Sequence, residues 1–368
     1  LTLRVPADYF GVPFLIVMES VTKSPSPVQA SGVELPKGEA AWRARILEEL
    51  ALMFPESGDW CLGAMLARRD GRVYQASSAR LKRQVAVKVY GGELPGNELP
   101  VRLFEDLTFY QSRSSRRPLL TVPKPCGVVE SLNLVVMEWI HAPTMTVRLR
   151  KNRLRPKARR RDIESAARWL LWYHRQSGIT RETYQVEKAL KAYKRQIRGI
   201  RRMDEDFLDK QPELQEHLKR WRTLGAGIGG FEIDHAVVHH DFTPSNVFME
   251  DERVTGFDFV TKYRKPVTHD ICRFLTHLAI QRWVPVSAGH LRKHGCAAGD
   301  FEAFLGAYGE GMAGLSPQVM LYLQYGEILR RWLSLVNQQS KLERFRRRFQ
   351  IFQLSRMARH VSHGLLEE

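Results

Sequence analysis

Residues 237–259 read VVHHDFTPSNVFMEDERVTGFDF. Two apolar runs that would otherwise make ordinary strands are interrupted by His239, Asp241, Asn246 and Asp258. Asp241 and Asn246 stand five residues apart across Thr243-Pro244-Ser245, a loop that can turn both side chains into one cleft, and VTGFDF reads as a strand delivering Asp258 beside them. A carboxylate with an amide oxygen forms a hard-oxygen donor set of the kind magnesium takes. Phosphoryl transfer needs such a metal, a group that orients the acceptor hydroxyl, and a cation on the phosphates. Each residue also has an ordinary alternative: Asp241 and Asn246 as turn residues around Pro244, Asp258 as a strand end.

Upstream of this stretch the order of elements is that of a small sheet. LGAMLARR, RVYQASS and QVAVKVY have the texture of short strands, and VRLFEDLTFYQSR has that of a helix. CGVVES and NLVVMEWI then form a second strand pair ending near residue 140. A first helix is expected at AAWRARILEELALMF, where Trp42, Ile46, Leu47, Leu50 and Met53 recur at helical spacing. From residue 162 helical patterns dominate, beginning with DIESAARWLLWYHRQ, for which Asp162 is the expected cap. The fold class is therefore α+β: a small, mostly antiparallel N-lobe with one helix at 41–140 and a larger, mainly helical C-lobe at 141–368. Residues 1–40 read as a flexible lead-in rich in Ser, Pro and Gly. Within them, 1–17 read as an over-extended start, with a weak signal peptide as the alternative.

HHDFTPSN followed by GFDF resembles the HxDxxxxN and DFG-like pair of the protein-kinase-like superfamily. The similarity is greatest to its aminoglycoside phosphotransferase and choline kinase branch. VAVKVY resembles the strand carrying the phosphate-contacting lysine, and VVMEWI the hinge that holds the base of the nucleotide through backbone groups. The resemblance spans roughly residues 62–280. It implies a two-lobed phosphotransferase using ATP, with GTP as the alternative, and Mg²⁺. Asp241 would be the catalytic aspartate, with His239 bracing its loop through backbone hydrogen bonds. Asn246 and Asp258 would bind the metal. Lys88 would contact the phosphates with Glu105 as its partner, in competition with Glu98 and Asp106. Glu138, Trp139 and Ile140 would form the hinge, and Gly71 would lie in the loop over the phosphates. Asp270, in KPVTHDICRFL, would tie the next helix back to the catalytic loop. The chain departs from the superfamily in having no GxGxxG in the phosphate-loop stretch LGAMLARRDGRVY, no APE motif, Val260 in place of a common glycine and His240 after the motif histidine. Eleven residues between Asp258 and Asp270 leave little room for a peptide-docking segment, which implies a small-molecule or glycan acceptor.

The balance of 57 Lys and Arg against 40 Asp and Glu, +17 overall, favours an anionic partner. Residues 148–161, RLRKNRLRPKARRR, contain nine basic positions and are expected at the cleft or at the edge of the C-lobe. In 343–360, Phe345, Phe349 and Phe352 recur among arginines as in a helix that lies on an anionic membrane. Sites for cationic aminoglycosides are acidic, so this charge points to a phosphorylated sugar or a lipopolysaccharide-type glycolipid. A catalytically silent nucleotide-binding module is the rival reading, and a nucleic-acid-binding protein a weaker one, resting on charge alone. Four scattered cysteines without a CxxC pair imply reduced thiols and a cytoplasmic protein, at most peripheral to the inner face of a membrane. His290, His294 and Cys296 in GHLRKHGC read as a solvated loop.

Overall fold

The fold is taken from a computed structural model that describes residues 38–68, 71–90, 99–114, 117–201, 209–228, 230–259, 263–282, 285–309, 315–336 and 344–367. Glu98, Val260 and the lead-in up to residue 37 lie outside them, as does the side chain of Phe345. The chain divides into two compact units, Leu1–His141 and Ala142–Glu368.

In the first unit, alternation of apolar and polar residues builds one antiparallel sheet. Its strands are β1 (Trp60–Arg68), β2 (Gly71–Ser78), β3 (Arg83–Tyr90), β5 (Pro125–Val129) and β6 (Leu134–Glu138), ordered β1-β2-β3-β6-β5. Strand β4 (Leu120–Thr121) is only two residues long. Val85, Val87 and Val89 of β3 are buried in one cluster with Tyr74, Ala76 and Val136. Ala86, Lys88 and Tyr90 occupy the alternate positions and so point to the opposite face. Helix α1 (Glu39–Met53) packs Trp42, Ile46, Leu50 and Met53 into the same cluster. It begins two residues inside the span read as lead-in. Helix α2 (Leu99–Ser114) buries Leu103, Leu107 and Tyr110.

The second unit is mainly helical. It contains α3 (Met145–Lys151), α4 (Pro156–Gln176), α5 (Val186–Arg201), α6 (Pro212–Gly227), α7 (Thr268–Ile280), α8 (Ala288–His294), α9 (Ala298–Tyr308), α10 (Pro317–Val336) and α11 (Arg344–Glu367). Two small β structures accompany them: the hairpin β9 (Val247–Glu250) and β10 (Arg253–Gly256), and the antiparallel set β7 (Thr180–Thr183), β8 (Glu232–Val237) and β11 (Arg264–Pro266), ordered β11-β8-β7. The core is aromatic. Trp169 of α4 stacks on Phe242, which stacks on Phe274 of α7, and Phe274 packs against Phe304 of α9. Offset aromatic stacks of this kind add about 0.5–1.5 kcal/mol per pair beyond their area.

Three expectations need correction. Helix α4 starts at Pro156, a residue suited to the first helical turn. Asp162 therefore does not cap it: the carboxylate is buried in the helix interior and accepts from Arg148 at 2.9 Å and Asn152 at 3.1 Å. Arg159 pairs with buried Asp300 at 2.6 Å. Two members of the basic run are thus committed inside the unit, where an unpaired carboxylate would be costly. The stretch GHLRKHGC is not a loop. It forms most of α8, capped by Ser287 and closed by Gly295 at φ 67°, with Leu291 and Cys296 buried. Finally, the strand leading to Asp258 stops at Gly256.

Candidate active site

The Asp241 loop is anchored from below by its own sequence. Phe242, the residue after Asp241, is fully buried in the aromatic core, so Asp241 faces outward with about half of its side chain exposed. Asn246 ends a single 3₁₀ turn over Pro244–Asn246 and donates from Nδ2 to the Asp241 backbone carbonyl at 2.9 Å and to Oδ2 at 3.0 Å. Its amide oxygen is thereby turned away from Asp241. The Phe257 amide donates to the Asn246 carbonyl at 3.1 Å, which ties the segment after β10 to the loop. Gly256 sits directly against Trp169; a Cβ there would lie 2.2 Å from the indole, so only glycine allows β10 to approach this closely. Two residues on, Asp258 is exposed and adopts φ 63°.

The loop is braced from behind by α7. Asp270 is fully buried, and its carboxylate accepts the backbone amides of His239 at 2.6 Å and His240 at 3.0 Å. His174 and His269 contact the same carboxylate at 3.1 and 3.4 Å. Burial alone would push the Asp270 carboxyl up, but the hydrogen bonds from His174 and His269 outweigh it and hold it well below the usual range. Burial, then the adjacent Arg330, push the His269 imidazole well below its ordinary value. Neutral His269 accepts from Arg330 on Nε2 and donates from Nδ1 to Asp270.

One turn along α7, Arg273 lies on the same helical face as Asp270. It donates to Asp241 Oδ1 at 2.8 Å and to the His240 carbonyl, and it is held by Glu327 of α10 at 3.2 Å. Asp241 is therefore gripped on one oxygen by Arg273 and on the other by Asn246. Each carboxylate oxygen keeps a second acceptor site for an incoming hydroxyl.

The structure brings Asp241, Asn246, Asp258 and Asp270 together within the second unit. His239 contacts Asp270 through its backbone, the bracing part read for it from the sequence. Only its backbone N–H braces the loop; the ring is buried among Trp169, Tyr173, Phe242 and Phe259, and neither ring nitrogen has a hydrogen-bond partner among the described residues. Burial keeps this imidazole below its ordinary pKa. Arg273, Glu327 and His174 carry no local motif. Arg273 alone had a usable signal, its i+3 spacing from Asp270.

In the first unit, Lys88 is half-buried, in register with Val73 and Val135, with its ammonium 4.6 Å from the Tyr90 ring centroid. Glu105 lies exposed on α2. Gly71, at φ 148°, opens β2, and a Cβ there would meet the Val89 carbonyl oxygen at 2.0 Å. Close strand packing is thus a sufficient reason for that glycine. In the Glu138–Ile140 segment the Glu138 amide donates to the Lys124 carbonyl at 2.8 Å, and the Trp139 amide to the Gln84 carbonyl at 3.4 Å.

Among the described residues no group of three or more His, Cys, Asp or Glu could hold a metal by itself. The donors present still fit magnesium. Asp258 supplies an exposed carboxylate and Asn246 an amide oxygen directed away from its Asp241 contacts. Magnesium bound with nucleotide needs only one or two protein carboxylates, since phosphates and water complete its shell.

The profile of the phosphotransferase enzyme family (APH) matches residues 49–317. Among solved structures, the chain is similar to a choline kinase from Cryptosporidium parvum Iowa II, with TM-score 0.56 and 10% identity over 88% of this chain and 97% of that one. It is also similar to an amicoumacin kinase in complex with AMP-PNP, Ca²⁺ and Ami, with TM-score 0.53 and 15% identity over 87% and 93% of the two chains. A third similarity is to the aminoglycoside phosphotransferase APH(2'')-Ib with ADP bound, with TM-score 0.50 and 15% identity over 88% and 98%. At these identities the structures speak to fold, and the fold they share is the protein-kinase-like one. No curated protein matches the chain.

Proposed function

The chain belongs to the phosphotransferase enzyme family, and from that premise we propose that it transfers the γ-phosphoryl group of ATP to a hydroxyl of a small molecule or glycan. The observation that carries this reading is the double grip on Asp241. Arg273 and Asn246 fix both carboxylate oxygens while the group stays open to solvent. That is the arrangement required of a residue that orients an acceptor hydroxyl and takes its proton. Asn246 and Asp258 hold magnesium in this reading, and the ion supplies charge neutralisation on the phosphates. Lys88 contacts the phosphates, with Glu105 its partner, and the backbone of Glu138, Trp139 and Ile140 reads the base; ATP is the expected donor, with GTP distinguished by competition. The preserved set of Lys88, Asp241, Asn246 and Asp258 argues against a silent binding module. The net charge of +17 directs the choice of acceptor towards a phosphorylated sugar or a lipopolysaccharide-type glycolipid.

Titration of MgATP tests the metal assignment. Asp258→Ala is expected to weaken nucleotide binding more than Asn246→Ala, because a charged ligand offsets more of the cation's charge. Equal, undiminished affinities in the two variants would remove both residues from the metal site.

A specific observation favours a second, compatible property, association with an anionic membrane surface. Phe349 and Phe352 on α11 are 39% and 59% exposed, beside Arg347 and Arg348. Apolar side chains among arginines on a helix surface suit an anionic interface. No helix among the described residues is long and apolar enough to cross a membrane. Phe352→Ala and the Arg347→Gln, Arg348→Gln pair are each expected to reduce sedimentation with phosphatidylserine-containing vesicles. Added salt should do the same for the unmodified chain, as the Debye length shrinks to about 8 Å near physiological ionic strength. Indifference to such vesicles at low salt would remove the membrane from consideration.

A further inference from the structure

Beside Lys265 the second unit holds a cavity of about 560 Å³ that opens to solvent, within the range of roughly 300–1,000 Å³ usual for small-molecule sites. Its walls come from β7 and α5, from β8, from Tyr263–His269 and from α10. It reaches the Asp241 loop through one wall residue, Lys265. Lys265 Nζ, on the cavity wall, lies 3.4 Å from His240 Nδ1, and the His240 carbonyl accepts from the same Arg273 that grips Asp241.

The charge of this lining is unbalanced. Five basic side chains, Lys188, Arg195, Arg264, Lys265 and Arg330, face two carboxylates, Glu182 and Glu327. Glu327 is already occupied by Arg273 and Arg330. Arg264 is satisfied by the backbone carbonyls of Ser177, Gly178 and His235. Lys265 differs from both: its contacts are His240 and, at 5.3 Å, the Tyr263 ring, and no carboxylate lies within ion-pairing distance of it among the described residues. A half-buried ammonium that feels the Asp270 and Glu327 carboxylates only from beyond ion-pairing distance, beside a cavity, gains from an anion brought in by a ligand. An amine in the same place would add a further cation. Tyr184, Tyr193 and Trp221 supply aromatic surface to the remaining wall, the mix of apolar surface and few polar groups that small-molecule sites use.

We propose that this cavity receives an alcohol bearing an anionic group, carboxylate or phosphate, and that Lys265 binds that group. The inference rests on the phosphotransferase reading, which makes a cavity beside Asp241 the place for the acceptor. Burial, and then the nearby Arg330 guanidinium, push the Lys265 ammonium down to about 8, so it remains mostly protonated at neutral pH. This expectation runs opposite to an aminosugar acceptor.

The test is a calorimetric titration of the full chain with four sugars on one scaffold: glucose, glucosamine, glucuronate and glucose 6-phosphate. Saturable binding is expected for an acidic sugar, with glucuronate reporting carboxylate and glucose 6-phosphate reporting phosphate, and glucose and glucosamine at least roughly tenfold weaker. Lys265→Met should reduce the acidic sugar's affinity by roughly tenfold or more with an unchanged melting temperature, and Lys265→Arg should restore most of it. Absence of saturable binding by both acidic sugars overturns the proposal. So does glucosamine binding as tightly as they do, or an affinity indifferent to Lys265→Met. A parallel MgATP titration separates the two levels: a chain that binds no nucleotide refutes the phosphotransferase reading, while the sugar series still decides whether the cavity selects anions.

Discussion

Asp241→Asn is expected to lower phosphoryl transfer by a factor on the order of 10² to 10⁴ while MgATP still binds. Asparagine keeps the size of the side chain and one oxygen, but it loses the charge and the acceptor capacity that take the hydroxyl proton. The substitution also disturbs the grip on one side, because the amide nitrogen must face either Arg273 or the Asn246 amide, both donors. Nucleotide contacts are assigned to other residues, so nucleotide affinity is the control. Turnover near that of the unmodified chain would show that Asp241 is not the acceptor-orienting group, and the double grip would then be only a loop-stabilising device.

The second large effect is expected on stability. Asp270→Asn should destabilise the second unit by about 3–5 kcal/mol, the usual result of breaking a buried, paired charge network. Asparagine can accept on only one side. The other position becomes an NH₂ group facing a backbone amide, so one of the His239 and His240 N–H groups loses its acceptor in the protein interior. The effect has a direction in pH. The Asp270 carboxyl is held below its ordinary value in the fold, so its contribution is fully present above the unfolded value near 3.8 and is lost as pH falls further, through the folded value. Urea denaturation at several pH values should show the gap between the unmodified chain and the variant full at neutral pH and narrowing only in strong acid. Coincident unfolding curves at pH 7 would mean that the carboxylate does not anchor the loop.

The sequence carried unequal amounts of this structure. The valine alternation around Lys88 was enough to place β3, because burial on one face of a strand has a period of two and needs no distant partner. The spacing of Asp241, Asn246 and Asp258 was equally local, and so was the position of Asp270 at the start of α7. Arg273 and Glu327 were out of reach for a physical reason. They are 54 residues apart, and their meeting depends on how α7 and α10 pack. The same holds for His174, 96 residues from the carboxylate it contacts. Asp162 misled because an acidic residue before an apolar periodic run has the pattern of a cap. The proline six positions earlier was the stronger start signal, and the fold uses Asp162 to neutralise Arg148 instead. The charge runs were the least informative features, since composition does not distinguish an arginine spent on Asp300 from one facing solvent.

The left-handed backbone at Asp258 sets two selective demands against each other. A residue with a side chain costs about 1–2 kcal/mol in that conformation, less for aspartate, whereas glycine adopts it freely. Drift towards greater stability at this position would favour glycine, and every such step would remove the carboxylate assigned to the metal. His240, at φ 72°, is a second non-glycine residue in this region, immediately before Asp241. A lineage of this chain released from the need for catalysis should therefore lose Asp258 early and keep Asp270, because the first is held against the backbone's preference and the second in agreement with the packing around it.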